Sequence, residues 1–264
     1  MTERKITMLK IENTDVVGWE HAIRGMHNPM DSWNKRDSYY CVGPACPEDA
    51  MINWCKNECP YYKTIDCENN VSSPYFVGPK DFNLMNCLRD AGADHRKFMR
   101  MIVVYLDITA PLYWWKEFDM YKVGTVANSC STMHKIADKE LTLEDFSCEH
   151  LYTEDDVDGM YYSSTAEEEF TSTDVLKVII EALNNYRKMY LVTMGKKYWW
   201  QMIQLLPSSY NQRRTVMLNY EVLANIYKSR KNHKLDEWVE FCKWVENLPY
   251  STLITGKENS NAKN

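Results

Sequence analysis

The chain has no excess of positive charge and no long apolar run. Lysine and arginine number 31 against 37 aspartate and glutamate, a formal net charge of −6. That balance argues against a binder of polymeric nucleic acid, which needs a basic face to displace counterions from phosphates. It leaves room for a small anion held by a few local cations. Apolar stretches such as Met101–Leu106 fall far short of the ~20 residues that cross a bilayer, so no membrane span is expected. Residues Met1–Lys10 carry Glu3, Arg4, Lys5 and Lys10 with no apolar core of a secretory leader, and a cytoplasmic location is the expectation. Glycine and proline, nine each, are too few for a collagenous or low-complexity chain. What remains is an ordinary globular composition, 264 residues with 45% hydrophobic, enough for a real core. We expect one domain over 1–254, a Cys-rich insertion at about 36–70 and a frayed tail over 255–264. Nine Trp and eighteen Tyr are abundant; such rings bury large areas and also stack on flat ligands.

Periodicity predicts a strand at Lys5–Ile11 and a short helix capped by Asp15 and running through His21 and Ile23. It predicts a helix at Asp81–Ala91, where Leu84 and Leu88 stand one turn apart before Gly92. Phe98–Ile108, rich in β-branched and aromatic residues, reads as a strand, although a helix fits nearly as well. Ala110–Tyr121 reads as a helix with Pro111 in its first turn. Val123–Thr132 reads as a loop or strand end, and 140–169 as acidic surface loops with short helices. Further helices are expected from a Thr173 cap through Val175, Val178, Ile179 and Leu183, and over Tyr198–Leu206, Val216–Arg230 and Leu235–Val245. The pattern implies an α/β (α+β) fold, a small mixed or antiparallel sheet with several long helices and a mainly helical C-terminal half.

Nine cysteines, an odd number, point to free thiols or metal ligation rather than a disulfide framework. Cys41, Cys46, Cys55 and Cys59 form two close pairs that could hold one tetrahedral zinc as a structural staple, with Cys67 spare. The competing reading is free cysteines in an irregular segment. Asp94-His95-Arg96-Lys97-Phe98 places four ionisable groups beside an apolar stretch, either the rim of a site or a solvated turn before a buried element. Ala110–Lys135 joins an aromatic amphipathic half to a small polar half whose hydroxyls and backbone suit close approach to a polar ligand.

This last segment resembles, without a gap, the signature of the flavin-dependent thymidylate synthases. Ala110 and Pro111 match it, and Tyr113 stands at an aromatic position. Lys116 and Glu117 stand at Arg-Gln. Met120, Tyr121 and Lys122 replace Arg-His-Arg, and Thr125 takes a Ser position. Asn128 replaces Glu, Cys130 a Ser, and Thr132 and Met133 Arg-Tyr. Leu206, Pro207, Arg213, Asn219, Leu223, Asn225 and Arg230 keep the gapless spacing of the family's C-terminal pattern, with Glu221 and Ile203 where that pattern has Arg. Asp94-His95 with Phe98 is similar to an upstream Glu-His and Phe. The resemblance implies FAD as cofactor, methylenetetrahydrofolate and NADPH as co-substrates, and a homotetramer with shared flavin sites. It implies transfer of a one-carbon unit to C5 of a pyrimidine deoxynucleotide, dUMP or dCMP.

By position, the resemblance puts Tyr121, Lys122, Thr125, Asn128, Asn219 and Asn225 against flavin. It puts Lys116, Glu117, Cys130, Ser131 and Arg230 against the nucleotide, and His95 near flavin and folate, with His95, Glu117 and Arg230 the catalytic candidates. Lost guanidinium forks imply a weaker hold on a dianion. Glu117 in place of Gln can accept but not donate, which favours the exocyclic amine of cytosine over a carbonyl. Cys130 could act as a nucleophile, but reads rather as a small buried residue whose change to Ser leaves activity largely intact. Two other readings stay open: a flavin or nucleotide binder without turnover, and a zinc-stapled interaction protein.

Overall fold

A computed structural model describes residues 9–40, 75–156, 159–165 and 167–256. The strands are β1 (Lys10–Val17), β2 (Tyr39–Tyr40), β3 (Tyr75–Phe76), β4 (Val103–Pro111), β5 (Val126–Ser129), β6 (Tyr161–Ser163), β7 (Glu168–Phe170) and β8 (Asn211–Asn219). The helices are α1 (Trp19–His27), α2 (Pro79–Asp90), α3 (Leu112–Phe118), α4 (Thr132–Lys135), α5 (Ser172–Thr193), α6 (Lys196–Leu205), α7 (Tyr220–Arg230), α8 (Asp236–Glu246) and α9 (Thr252–Thr255). One sheet has the order β1-β4-β8-β5, and β2-β3 and β6-β7 are antiparallel two-stranded ribbons. The expected mixture of a small sheet and long helices is the one observed. No helix among the described residues is long and apolar enough to cross a membrane.

Five local expectations need correction. The first helix begins at Trp19, and Asp15 lies in β1; Gly18 caps the helix at φ 95°, where an added Cβ would lie 2.1 Å from the Met101 carbonyl oxygen. Only glycine tolerates both constraints. Arg96–Arg100 is a 3-10 turn burying Phe98 and Met99, and the strand starts only at Val103. Ala110 and Pro111 finish that strand, so α3 starts at Leu112 and stops at Phe118, short of Tyr121. Val216–Asn219 is strand: Val216 and Leu218 are buried at period two, and the Asn219 side chain accepts from the Val222 amide at 3.0 Å, fixing where α7 begins. For α5 the cap is Thr171, two residues before the expected Thr173. Its hydroxyl accepts from the Asp174 amide at 3.1 Å while the Asp174 carboxylate accepts from the Thr171 amide, a reciprocal capping box.

The chain divides into two compact units. The first comprises Met1–Glu12, Asp107–Met120 and Ala127–Val216. Here α5 packs on α6, burying Leu176, Ile180, Leu183 and Met202 with Ile136, Leu141 and Phe146. Trp114 stacks on Phe118 at 5.1 Å, and the Trp115 indole donates to the Gln212 carbonyl at 2.8 Å. The second unit comprises Asn13–Leu106, Tyr121–Val126 and Met217–Asn264. Its core gathers α1, the 96–100 turn, α7, α8 and α9. Trp19 meets the edges of Tyr220 and Tyr250 there. Fully buried Asp81 accepts from His27 Nε2 at 2.7 Å, the Ser38 hydroxyl at 2.6 Å, and the amides of Asp37 and Ser38.

Candidate functional site

In the second unit, the two blocks of the sequence pattern meet. Arg230 ends α7, and its Nε donates to the Tyr121 hydroxyl at 3.0 Å. Its Nη1 lies 2.9 Å from His233 Nε2, and its guanidinium sits 4.9 Å from the centre of the Trp238 ring. Tyr121 and Trp238 are themselves edge to face at 6.1 Å. A planar cation stacked on one ring and bonded at two edges has lost most of its rotamer freedom before any ligand arrives. Sequence reading found Tyr121 and Arg230 but missed His233 and Trp238. His233, three residues past Arg230 at a helix end, was findable in principle as a neighbour; Trp238 follows only from how α8 folds back.

Asn219 occupies the junction of β8 and α7. Its Oδ1 caps the helix, while its Nδ2 faces the 121–126 loop at Gly124. Gly124 has φ 79°, and a Cβ there would lie 2.9 Å from that amide nitrogen and 3.2 Å from a Val222 methyl. Gly124→Ala is therefore expected to destabilise the protein by about 1–3 kcal/mol, read as a lower urea midpoint, because strain and crowding add. An unchanged midpoint would refute the close approach. In the same loop, the Thr125 hydroxyl oxygen is buried and lacks a hydrogen-bond partner among the described residues. Such a group marks a missing partner, because a buried polar atom left unpaired is costly.

Glu221, which stands where the resembled pattern has Arg, is buried and accepts from Arg96 Nε at 3.1 Å and Nη2 at 2.8 Å. The pair ties the 94–98 segment to α7, next to the capping Asn219. His95 is exposed and opens the 96–100 turn, so that segment is both a solvated turn and the cover of a buried residue, Phe98. Lys122 is exposed; its carbonyl accepts from the Thr125 amide at 3.4 Å. Asn225 is exposed on α7.

The first unit holds the remaining candidates. Lys116 is exposed at the end of α3, and Glu117 beside it is half-buried. Asn128 is exposed on β5. Ser131 caps α4 by accepting from the His134 amide at 3.4 Å. Cys130 is exposed, which corrects its reading as a buried apolar residue; its amide donates to the Arg213 carbonyl at 3.0 Å, and its carbonyl accepts from Gln212 Nε2 at 3.0 Å. Cys130 and Thr132 line a cleft of about 350 Å³, with Lys10, Lys135, Lys139 and Arg213 against Glu144 and Asp145. The lining thus carries more cations than acids although the whole chain is acidic. Arg213 is oriented by Asp107 at 2.7 Å, and Lys139 is paired with Asp145. Tyr210, which also lines the cleft, has its hydroxyl pKa raised by burial and by the nearby Asp145 and Cys130. The Asn211 side-chain oxygen there is buried without a partner among the described residues. None of these lysines was singled out as a site residue from sequence: Lys10 and Lys139 lie outside the resembled segment, and Lys135 only closes it. Cys41, Cys46, Cys55 and Cys59 lie outside the described residues.

No family model matches the chain, and no curated protein matches it in sequence. Solved structures do match in fold. The flavin dependent thymidylate synthase ThyX of Helicobacter pylori, complexed with FAD and dUMP, is 12% identical with a TM-score of 0.55, over 93% of this chain and 97% of that one. A second structure of the Helicobacter pylori protein with FAD and dUMP gives a TM-score of 0.56 at 12% identity, over 93% and 96%. The likeness extends over nearly the whole of both chains, so the fold is that of a flavin-dependent thymidylate synthase, as the spaced residues imply.

Proposed function

We propose that this protein binds FAD and a pyrimidine deoxynucleotide and transfers a one-carbon unit, methyl or hydroxymethyl, from methylenetetrahydrofolate to C5 of the base. The observation that carries the reading is the meeting of Arg230 with Tyr121, two residues far apart in sequence and both in the spaced pattern. Support also comes from Thr125, whose unpartnered hydroxyl in a glycine-bearing loop fits a polar ligand passing close to the backbone. The fold likeness to a protein crystallised with FAD and dUMP points the same way. Bound flavin would supply redox equivalents renewed by NADPH, and the folate the carbon.

The chain's own residues bind and orient. Arg230 offers a fixed, doubly braced cation to a phosphate. Tyr121 presents a ring and, with Lys122, Thr125, Asn128, Asn219 and Asn225, beds the flavin. Lys116, Cys130 and Ser131 line the nucleotide, and His95 sits at the folate side. Glu117 reads the base: a carboxylate accepts hydrogen bonds only, which favours cytosine's amine. A homotetramer with shared sites and a zinc held by the four cysteines belong to the same proposal.

Purified protein is expected to show flavin absorption bands. Incubated with methylenetetrahydrofolate, NADPH and labelled nucleotide, it is expected to modify dCMP in preference to dUMP. Equal binding of both nucleotides, or of neither, removes the role of Glu117. Flavin retained without product favours the second reading, a binder without turnover, to which the lost cations at Met120, Thr132 and Ile203 lend weight.

A further inference from the structure

Helices α5 and α6 pack on one another and are joined by a tight turn, Met194-Gly195. The turn is held from within. The Thr193 hydroxyl donates to the Met189 carbonyl at 2.7 Å and accepts from the Gly195 amide at 3.1 Å, and the Met194 amide donates to the Tyr190 carbonyl at 2.7 Å. Met194 has φ 50°, the left-handed geometry that helix ends usually give to glycine. Its long apolar side chain is nevertheless 68% exposed. Leu191, Val192 and, on α6, Trp200 are exposed around the same turn, Val192 at 83%. The core makes no use of these four side chains, and a strained backbone that holds one of them in solvent points to a contact outside the fold. The charges here have one sign. No aspartate or glutamate stands between Glu181 and Glu221, although the chain as a whole is acidic, and the cations nearest the turn are Arg187, Lys188, Lys196 and Lys197. Arg187 is occupied by the carbonyls of Ala137 and Asp138, and Lys188 lines a groove with Glu140 and Glu181. Lys196 and Lys197 form no ion pair among the described residues. Their Nζ atoms lie 6.0 Å from the centre of the Trp200 ring and 4.8 Å from that of Tyr198.

We propose that the turn between α5 and α6 docks on an anionic lipid surface. Leu191, Val192, Met194 and Trp200 enter the boundary between headgroups and acyl chains, and Lys196 and Lys197 meet the lipid phosphates. That boundary is apolar on one side and anionic on the other, and the turn offers both complements within a few residues. An indole ring is at home in the same layer, and lysine stems lie along apolar surface while their ammonium groups reach outward. Charge complementarity also sets the other occupants aside. A second copy at this turn places lysines against lysines with no acid between Glu181 and Glu221 to relieve them. A nucleic-acid strand answers the lysines but takes no aliphatic side chain out of water. Docking of this kind is independent of the proposed chemistry.

Full-length protein is expected to cosediment with phosphatidylcholine vesicles carrying about 30% phosphatidylglycerol, and at least about 10-fold less well with phosphatidylcholine alone. Lys196→Gln with Lys197→Gln is expected to weaken binding to the anionic vesicles about 30-fold, each lysine near the surface contributing about fivefold. Val192→Asp with Met194→Asp is expected to weaken it at least about 100-fold with circular dichroism unchanged, since both positions are exposed and aspartate tolerates a left-handed backbone. Brominated lipid is expected to quench the tryptophan emission of native protein, and to quench Trp200→Phe less although that variant still binds. Absence of binding to anionic vesicles overturns the proposal, as does equal binding to neutral ones or binding that survives both double variants. Quenching unchanged in Trp200→Phe shows that another part of the chain enters the lipid and refutes docking through this turn. Binding of an acidic protein or an oligonucleotide through Lys196 and Lys197, without vesicle binding, gives the turn a different occupant and refutes the lipid. Should the aspartate variant fail to fold, the lysine pair and the quenching decide by themselves.

Discussion

Arg230→Ala is expected to lower affinity for the favoured pyrimidine deoxynucleotide about 100-fold, close to 2.7 kcal/mol, the range of a charged hydrogen-bonded contact removed from a braced site. The guanidinium is held before binding by the Tyr121 hydroxyl, by His233 and by the face of Trp238, so the native protein spends little entropy on ordering it. Arg230→Lys keeps the charge but loses the planar fork and the stacking, and is expected to recover only about tenfold of that loss. Calorimetric titration with dCMP and dUMP reads both variants. Native-like affinity in the alanine protein would remove Arg230 from the site, and with it the main support for the proposed chemistry. Thermal melts of the same samples separate a binding loss from a packing loss, because the side chain also covers Trp238.

The second large effect concerns stability. Asp81 is completely buried and is paired through four donors: His27 Nε2, the Ser38 hydroxyl and the amides of Asp37 and Ser38. His27 Nε2 donates to the carboxylate, and its Nδ1 lies 2.8 Å from the Ser32 hydroxyl. Burial alone would push the Asp81 pKa up. The hydrogen bonds from Ser38, His27 and Asp37, with the charge of His27, outweigh burial and hold it below the ordinary 3.8.

Asp81→Asn replaces an acceptor-only group by one with a donor edge, leaving donors opposed, and is expected to cost about 3 kcal/mol at neutral pH. The pH dependence follows from the direction of the shift. A carboxyl with a depressed folded value contributes stability that is complete above its unfolded value and lost as pH falls through the folded one. The native protein's advantage over Asp81→Asn is therefore expected to be level from pH 7 to about pH 5 and to shrink below about pH 4. Urea denaturation at pH 7 and 3.5 checks this. An advantage that widens in acid, or is absent at pH 7, contradicts the network.

The helices of the C-terminal half were legible because burying one stripe demands the 3.6-residue period, but in α5 only Leu183 of the expected stripe is buried: Leu176 and Ile180 face the core with it, and Val178 is exposed. Val216–Asn219 was misread as helix because three apolar residues, Val216, Met217 and Leu218, just before a true helix fit either period; β8 pairing decided it. Asp15 was misread as a cap since its type is right, but the left-handed backbone at Gly18 does that work. Cys130 was misread because free cysteines are mostly buried, whereas here the backbone on both sides of it is taken up by Arg213 and Gln212 at an exposed cleft.

The family resemblance singled out Asn219, Asn225 and Arg230, and because residues at fixed offsets around one helix start keep fixed relations, the structure sets all three on or at the start of α7. The fold class, too, was legible in the sequence. Folding alone paired Arg96 with Glu221, stacked Trp238 on Arg230 and drew Lys135, Lys139 and Arg213 to one cleft. Those partners are separated by up to 125 positions or come from different elements, and charge and stacking act through space, where separation along the chain carries no information.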